Sequence, residues 1–298
     1  MLPILFLYKH IMNGGNLLKK SFLAYILIVI IISLLIPNGK NNHLAIHTID
    51  VGQGDSILIQ TPNSKNILID GGDENSHSIV INYLKRNNIK NIDYIIISHF
   101  DSDHIGGLDN IIDKFNVANI YAPEYESNTE SYDNLINACH NKNLQIQHLK
   151  KDDFINIENN IDLSVLGPSY IQNENNLNSI VFKINYKNKS FLFTGDAENP
   201  NEVDILSSYE LDDIDFLKVG HHGSSSSSSP EFIEEISPDV AVISCGYKNQ
   251  YGHPHKSTLD TLQENNVLTY RTDILGDIIF YSDGEIIYTH KNYNVNKK

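Results

Sequence analysis

The chain has 298 residues, 41% of them hydrophobic, and its 37 acidic and 22 basic side chains leave a formal charge of −15. That length supplies one substantial core without requiring a second domain, and no Pro- or Gly-rich linker or block of like charge divides it. A surface this acidic repels a nucleic-acid backbone unless cations or a local basic patch intervene, although a metal site would itself gather carboxylates that bound cations neutralise.

Residues 1–42 read as a signal or anchor segment. Lys19-Lys20 precede an almost unbroken apolar run from Phe22 to Ile36, which Pro37-Asn38-Gly39 ends. A membrane span needs about 20 residues, so the run fits a short span or the apolar region of a secretory signal. Apolarity on every face argues against a buried core helix. No small-x-small cleavage site follows Ile36, which favours an uncleaved anchor. Lysines ahead of the run predict a cytoplasmic N-terminus, with the rest of the chain outside or secreted. Met12 offers an alternative start.

From residue 43 the pattern turns to strands. His43–Asp50, Asp55–Gln60 and Asn66–Asp70 are short β-rich runs between turn residues. Ser76–Asn88 carries Ile79, Val80, Tyr83 and Leu84 at helical spacing, and Ile92–Ser98 is a continuous apolar run suited to a strand covered on both faces. Leu108–Phe115 and Tyr132–Asn141 read as helices, with strands near Ile120 and Ile146. A second series begins at Ile161–Leu166 and continues as a hairpin, Ser179–Tyr186 and Ser190–Thr194. Strands at Asp215–Val219, Val240–Ser244, Asp277–Tyr281 and Glu285–Tyr288 follow, with helices at Pro230–Ile236 and Ser257–Asn266. Two β-rich series with covering helices predict an α/β fold, an αββα four-layer sandwich over residues 43–298. Ser224–Ser229 reads as a flexible polar loop. Cys139 and Cys245 lack the spacing of a metal knuckle or redox pair and are either two buried small hydrophobes or one disulfide.

The densest chemistry lies in Ser98-His99-Phe100-Asp101-Ser102-Asp103-His104-Ile105-Gly106-Gly107. It follows directly on a buried strand, so imidazoles and carboxylates leave the sheet edge together. Alternation points His99, Asp101 and Asp103 roughly one way, and a turn at Asp103 brings in His104, enough to share two ions about 3.5–4 Å apart. Gly106-Gly107 is expected to let the backbone pass close under the ions. An exposed turn with an Asp cap would explain one carboxylate but not two flanking histidines. Three further strand ends offer partners: Thr194-Gly195-Asp196, Val219-Gly220-His221-His222-Gly223-Ser224, and Tyr251-Gly252-His253-Pro254-His255. Adjacent histidines point apart in extended chain, so one of His221 and His222 binds metal. His253 completes the site, holds substrate or donates a proton. Asp70, in Ile69-Asp70-Gly71-Gly72, is expected to organise loops by accepting N–H bonds. The Gly52-Gln53-Gly54 spacing precedes a strand rather than a helix, which excludes a dinucleotide fingerprint. His43, His47, His77, His140 and His148 have no comparable carboxylate neighbours and read as packing or surface histidines.

With these segments in order, over residues 44–290, the chain resembles the metallo-β-lactamase superfamily, and within it the soluble hydrolase domain of the ComEC/Rec2 DNA-internalisation proteins. The phrases that carry the likeness are Asp50-Val51-Gly52-Gln53-Gly54-Asp55-Ser56, Leu68-Ile69-Asp70-Gly71-Gly72, Ser98–Gly107, Thr194-Gly195-Asp196, His221-His222-Gly223-Ser224 and Gly252-His253-Pro254. The superfamily's usual motif is His-x-His-x-Asp-His, in which Asp101 here replaces the second histidine. The resemblance implies that His99 and Asp101 serve one ion, that Asp103 and His104 serve another, that Asp196 bridges them, and that His221 or His222 completes the second site. Asn178-Ser179 stands where a further histidine ligand is usual, so the first ion has an oxygen-richer shell, tilting preference from zinc toward manganese. Asp103, His222 and His253 are the candidates for the reaction itself, and Lys218, Ser224 and Asn178 for substrate contact.

The activity implied is hydrolysis by a hydroxide activated on two divalent ions, acting as a nuclease on DNA outside the membrane. The acidic surface keeps another external substrate, a cell-wall phosphodiester or an ester, in competition. A degenerate, non-catalytic binding module is the third reading, and the full set of His99, Asp103, His104 and Asp196 speaks against it.

Overall fold

Alternating apolar strands, each with one side chain for either face, build two stacked sheets. The computed structural model describes residues 43–211 and 214–290. The expected signal or anchor at 1–42 therefore lies outside the described residues. Among those described, no helix is long and apolar enough to cross a membrane.

The first sheet opens with the antiparallel strands β1 (Leu44–Thr48), β2 (Ile57–Gln60) and β3 (Asn66–Ile69), and β4 (Asn91–Ile96), β5 (Asn116–Ala122) and β6 (Ile146–His148) then run parallel to β3. The second sheet starts as a meander, β7 (Phe154–Glu158), β8 (Ile161–Gly167), β9 (Val181–Tyr186) and β10 (Lys189–Phe193), and continues with β11 (Phe216–Lys218), β12 (Val240–Ile243) and β13 (Leu268–Arg271) parallel to β10. β14 (Ile278–Ser282) and β15 (Ile287–Thr289) return to the first sheet, β14 pairing with β1.

Side-chain alternation assigns the layers. Ile67 and Ile69 face the second sheet and meet Phe182, Phe191, Phe193 and Phe216, while Leu68 between them faces the helices. On that outer side pack α1 (His77–Arg86), α3 (Leu108–Lys114) and α4 (Glu130–Asn141), with the short α2 (Ser102–Ile105) at the sheet's edge. Leu192, Leu217 and Ala241 do the same for the second sheet, under α5 (Asn199–Ser208), α6 (Pro230–Ile236) and α7 (Lys256–Glu264). This is the αββα sandwich expected. Helix α5 and the edge strands β7 and β13 were not.

One expectation about a polar loop is corrected, and one alternative for the cysteines is selected. The Ser224–Ser229 loop is pinned: the Ser227 hydroxyl donates to the Gly220 carbonyl at 2.7 Å, and the N–H groups of Ser228 and Ser229 donate to the Glu202 carboxylate. Cys139 and Cys245 are free and buried in different cores, one under the first sheet's helices and one under the second's, so they form no disulfide.

The carboxyl ends of β3, β4, β10, β11 and β12 share one edge of the sandwich, where parallel α/β sheets commonly gather their ligands. The chain after each of these strands carries, in turn, Asp70, His99 to His104, Asp196, His221-His222 and His253.

Candidate metal centre

Three imidazoles point one nitrogen into a common space because the other is tethered. The His104 Nδ1–H donates to Asp70 at 2.8 Å. His222 Nδ1–H donates to the Ser244 carbonyl at 3.0 Å, and His99 Nδ1–H to the Ser98 hydroxyl at 3.1 Å. Asp70, fully buried, also accepts the Ser98 N–H at 2.8 Å and the Ser98 hydroxyl at 2.7 Å, so one carboxylate orients two histidines and the turn between them. Such an outward anchor fixes the ring and leaves Nε2 as the ligand atom.

The Nε2 atoms converge on Asp196. His104 Nε2 lies 3.3 Å from Asp196 Oδ1, and His222 Nε2 lies 3.3 Å from Asp196 Oδ2. His222 Nε2 is also 3.3 Å from Asp103 Oδ2. Asp196 belongs to the ligand groups His99/His104/Asp196 and Asp55/Asp196/His222 and adjoins a further one, Asp103/His104/His222, in each of which the ligand atoms lie within 4.8 Å of one another. His99 Nε2, His104 Nε2, His222 Nε2 and Asp196 Oδ1 are all buried and have no hydrogen-bond partner in the protein. Buried polar atoms are rarely left so, and four converging on one space are a cation site by geometry. The residues present fit divalent ions.

Electrostatics point the same way. Burial alone would push the His104 and His222 pKa values down, yet the Asp196 charge, helped by Asp70 at His104 and by Asp103 at His222, holds both well above the ordinary histidine value. Burial would raise Asp103, but His222 and His104 bring it to about 2. Asp196 likewise stays well below the usual carboxylate range, against its burial, through His222 and His104. In the ion-free protein, protonated imidazoles supply the positive charge that these carboxylates demand.

The remaining expected residues divide. Asp101 stands at the rim: its Oδ2 is 3.6 Å from His99 Nε2 and its Oδ1 accepts the Asn175 amide at 2.6 Å. Among the described residues, no group of three candidate ligands includes it. Between His221 and His222, it is His222 that enters the cluster. Both have left-handed backbone, φ 46° and 54°, a tight turn that costs roughly 1–2 kcal/mol per residue and swings the two rings apart. His221, expected as a metal ligand, instead donates its Nδ1–H to Glu198 at 3.1 Å and holds Nε2 3.9 Å from Asp196. His253 lines the cleft with its Nδ1 buried and unpartnered. Burial, and then the charges of His222 and His221, lower its pKa to about 4.

The three expected substrate contacts are placed elsewhere. Lys218 is buried in an ion pair with Asp55 rather than at the cleft mouth. Ser224 is buried and hydrogen-bonded to Ser226, and the Asn178 side chain is buried where it holds the Gln172 backbone. Gly106 and Gly107 lie in the turn that follows His104. They make room for backbone, since a Cβ on Gly106 would lie 2.5 Å from the Glu74 nitrogen and one on Gly107 2.4 Å from the Gly71 oxygen. The cleft of about 130 Å³ is lined besides by Gln53, Asn176 and Tyr251. Gln53 and Tyr251 stood inside phrases already singled out but with no role assigned, whereas no residue pattern pointed to Asn176, Glu198 or Asn175, because tertiary packing alone brings them to the cleft.

Comparison with known proteins agrees with this geometry. Residues 49–247 match the profile of the Metallo-beta-lactamase superfamily. The chain is 30% identical over 263 residues to ComE operon protein 3 of Bacillus subtilis, an alignment covering 82% of this chain and 33% of that protein. It is 30% identical over 269 residues to Recombination protein 2 of Haemophilus influenzae, covering 88% of this chain and 32% of the relative. The chain therefore spans about a third of the length of the curated relatives it matches. Among solved structures, the metallo-beta-lactamase fold protein YhfI from Bacillus subtilis superposes with a TM-score of 0.55 at 11% identity, covering 80% of this chain and all of that one. CmlA, a diiron beta-hydroxylase from Streptomyces venezuelae, gives a TM-score of 0.54 at 13% identity, covering 76% of this chain and 52% of that one. These two show the shared fold, and one of them runs a different reaction on it.

Proposed function

Since the chain belongs to the metallo-beta-lactamase superfamily and is a hydrolase of that fold, we propose that it is a two-metal phosphodiesterase whose substrate is a DNA strand. The observation that carries the two-ion reading is Asp196, whose Oδ1 lies 3.3 Å from His104 Nε2 and whose Oδ2 lies 3.3 Å from His222 Nε2. The names of the 30%-identical relatives, a ComE operon protein and a recombination protein, support a DNA-related substrate.

When bound, divalent ions supply acidified water and positive charge where the phosphoryl group gains negative charge. The protein's own part is orientation. Asp70, Ser98 and the Ser244 carbonyl hold the rings of His104, His99 and His222, and Asp196, between His104 and His222, would offer an oxygen to each of two ions. Asp101, steadied by Asn175, adds an oxygen donor beside His99, and a set with this much carboxylate favours manganese over zinc. His253, with its pKa lowered to about 4, is neutral at pH 7 and offers hydrogen bonds to substrate rather than a stored proton. From His222 outward, the rings of His253 and Tyr251 form an offset stack, with centroids 6.2 Å and then 5.7 Å apart and planes within 29°. Tyr251 is 56% exposed, a shelf on which an unpaired base can lie beside the reacting phosphate. In the same reading, the apolar run 22–36 tethers the domain outside the membrane.

The test incubates the purified full chain with linear single- and double-stranded DNA in Mn²⁺, Zn²⁺ or chelator, with H99A/D103A as control. Metal-dependent cleavage that the control loses supports the proposal. The charge of −15 favours a second reading, a less polyanionic phosphodiester or ester, and turnover of a generic phosphodiester without DNA cleavage selects it. Metal binding without any turnover leaves a binding module.

A further inference from the structure

The phrase Gly52-Gln53-Gly54-Asp55 is not accounted for by the ligands above. Asp55 lies directly behind the metal centre. Its Oδ2 pairs with Lys218 Nζ at 2.7 Å, and the two side chains are 2% and 1% exposed. Its Oδ1 has no hydrogen-bond partner and lies 3.4 Å from His222 Nδ1, on the side of the ring opposite the cluster. The Asp55 N–H donates to the Asp103 carbonyl at 3.2 Å. Next door, the Gly54 carbonyl accepts the hydroxyl of Ser244, whose own carbonyl takes the His222 Nδ1–H. Lys218 closes the arrangement from the second sheet, donating also to the Val219 carbonyl at 2.9 Å, three residues before His222.

A buried lysine–aspartate pair is a costly way to fill space, since an apolar pair of similar volume serves packing as well or better. What an apolar pair cannot do is present a fixed negative charge to the back of an imidazole. Asp70 does this for His104, and Asp55 stands in the corresponding place for His222. We propose that Asp55, its charge partly balanced by Lys218, is a positioning residue that orients His222 and sets how strongly His222 holds its metal ion. Lys218 then acts as a brake on that effect, and the Asp103 and His222 segments move as one unit with the Gly54–Asp55 turn.

The inference rests on His222 being a metal ligand, so titration of the wild-type full chain with Co²⁺ and Mn²⁺ comes first. Absence of binding there defeats that reading rather than this one. With wild-type binding in hand, D55N, K218M and D55N/K218M are compared by metal affinity, by the Co²⁺ visible spectrum and by melting of the metal-free proteins. The expected result is a loss of about 10–100-fold in affinity for one ion in D55N, with an altered cobalt spectrum. K218M, leaving the carboxylate unbalanced, binds that ion more tightly than wild type. The double variant melts close to wild type, because no charge is left buried alone, yet keeps the weakened affinity. Every variant that melts cooperatively is scored. Wild-type affinity and spectrum in the double variant overturn the inference, and so does loss of folding in all three, which assigns the pair to sheet assembly alone.

Discussion

Substituting alanine at Gly54 separates two costs that usually arrive together. Gly54 has φ +123°, and a Cβ there would sit 2.2 Å from the Asp103 carbonyl oxygen. Gly52, two residues earlier, has φ +79° and open space around its virtual Cβ. The backbone penalty is common to both and amounts to about 1–3 kcal/mol. Only G54A adds a clash, and relieving it to ordinary contact moves the Asp103 backbone by roughly 1 Å while breaking the Asp55 N–H bond to that carbonyl, worth about 1 kcal/mol. G52A should therefore melt about 2–12 °C below wild type, at about 2–4 °C per kcal/mol for a domain of this size, with metal binding intact. G54A should fall further by about 4 °C or more and lose metal affinity. A shift of about 1 Å at a reacting group also costs about 100-fold in turnover, where turnover is measured. Paired thermal melts with and without Mn²⁺, and Mn²⁺ titrations of both variants, read the difference. Equal melting and equal metal affinity in G54A and G52A would refute the proposed contact between this turn and Asp103.

Other outcomes follow from buried charges and exposed rings. His47, buried against Tyr83, has its pKa lowered from 6.5 to about 4 by burial. The folded state thus binds fewer protons than the unfolded chain, so His47 contributes about 3 kcal/mol above pH 6.5 that is lost as pH falls toward 4, and urea midpoints of H47N should lack that slope. Because His104 and His222 carry raised pKa values without metal, ion binding must displace protons. Affinity should rise with pH, and calorimetric heats should depend on the buffer's ionisation enthalpy. An apparent enthalpy independent of buffer contradicts this. Y251A should raise KM for single-stranded oligonucleotides about 5–100-fold but leave an abasic analogue unaffected, with Y251F near wild type, since one base stack is worth about 1–3 kcal/mol.

The layers and the strand ends of the site were legible because both are local patterns. Ile67-Leu68-Ile69 and Phe191-Leu192-Phe193 announce strands with two covered faces, and Asp70, His99–His104 and Asp196 are distinctive residues placed where such strands stop. Residue type misled where burial decides the role. Lys218 looked like a substrate contact, but it is buried against Asp55, a partner far away in sequence. Ser224–Ser229 looked mobile, yet the buried carboxylate of Glu202 ties it down. His221 and His222 differ only by the left-handed turn that seats them, which depends on packing around the turn and not on the two side chains. Helix α5 was missed because its few apolar residues make a weak stripe. Its start, where Glu198 and Asn201 cap each other with Pro200 between them, carried the readable signal.

Asp196 leaves the second sheet, whereas His99, Asp103 and His104 leave the first, so an ion held between them is also a clasp between the two halves of the sandwich. Neither half alone can assemble both ligand groups.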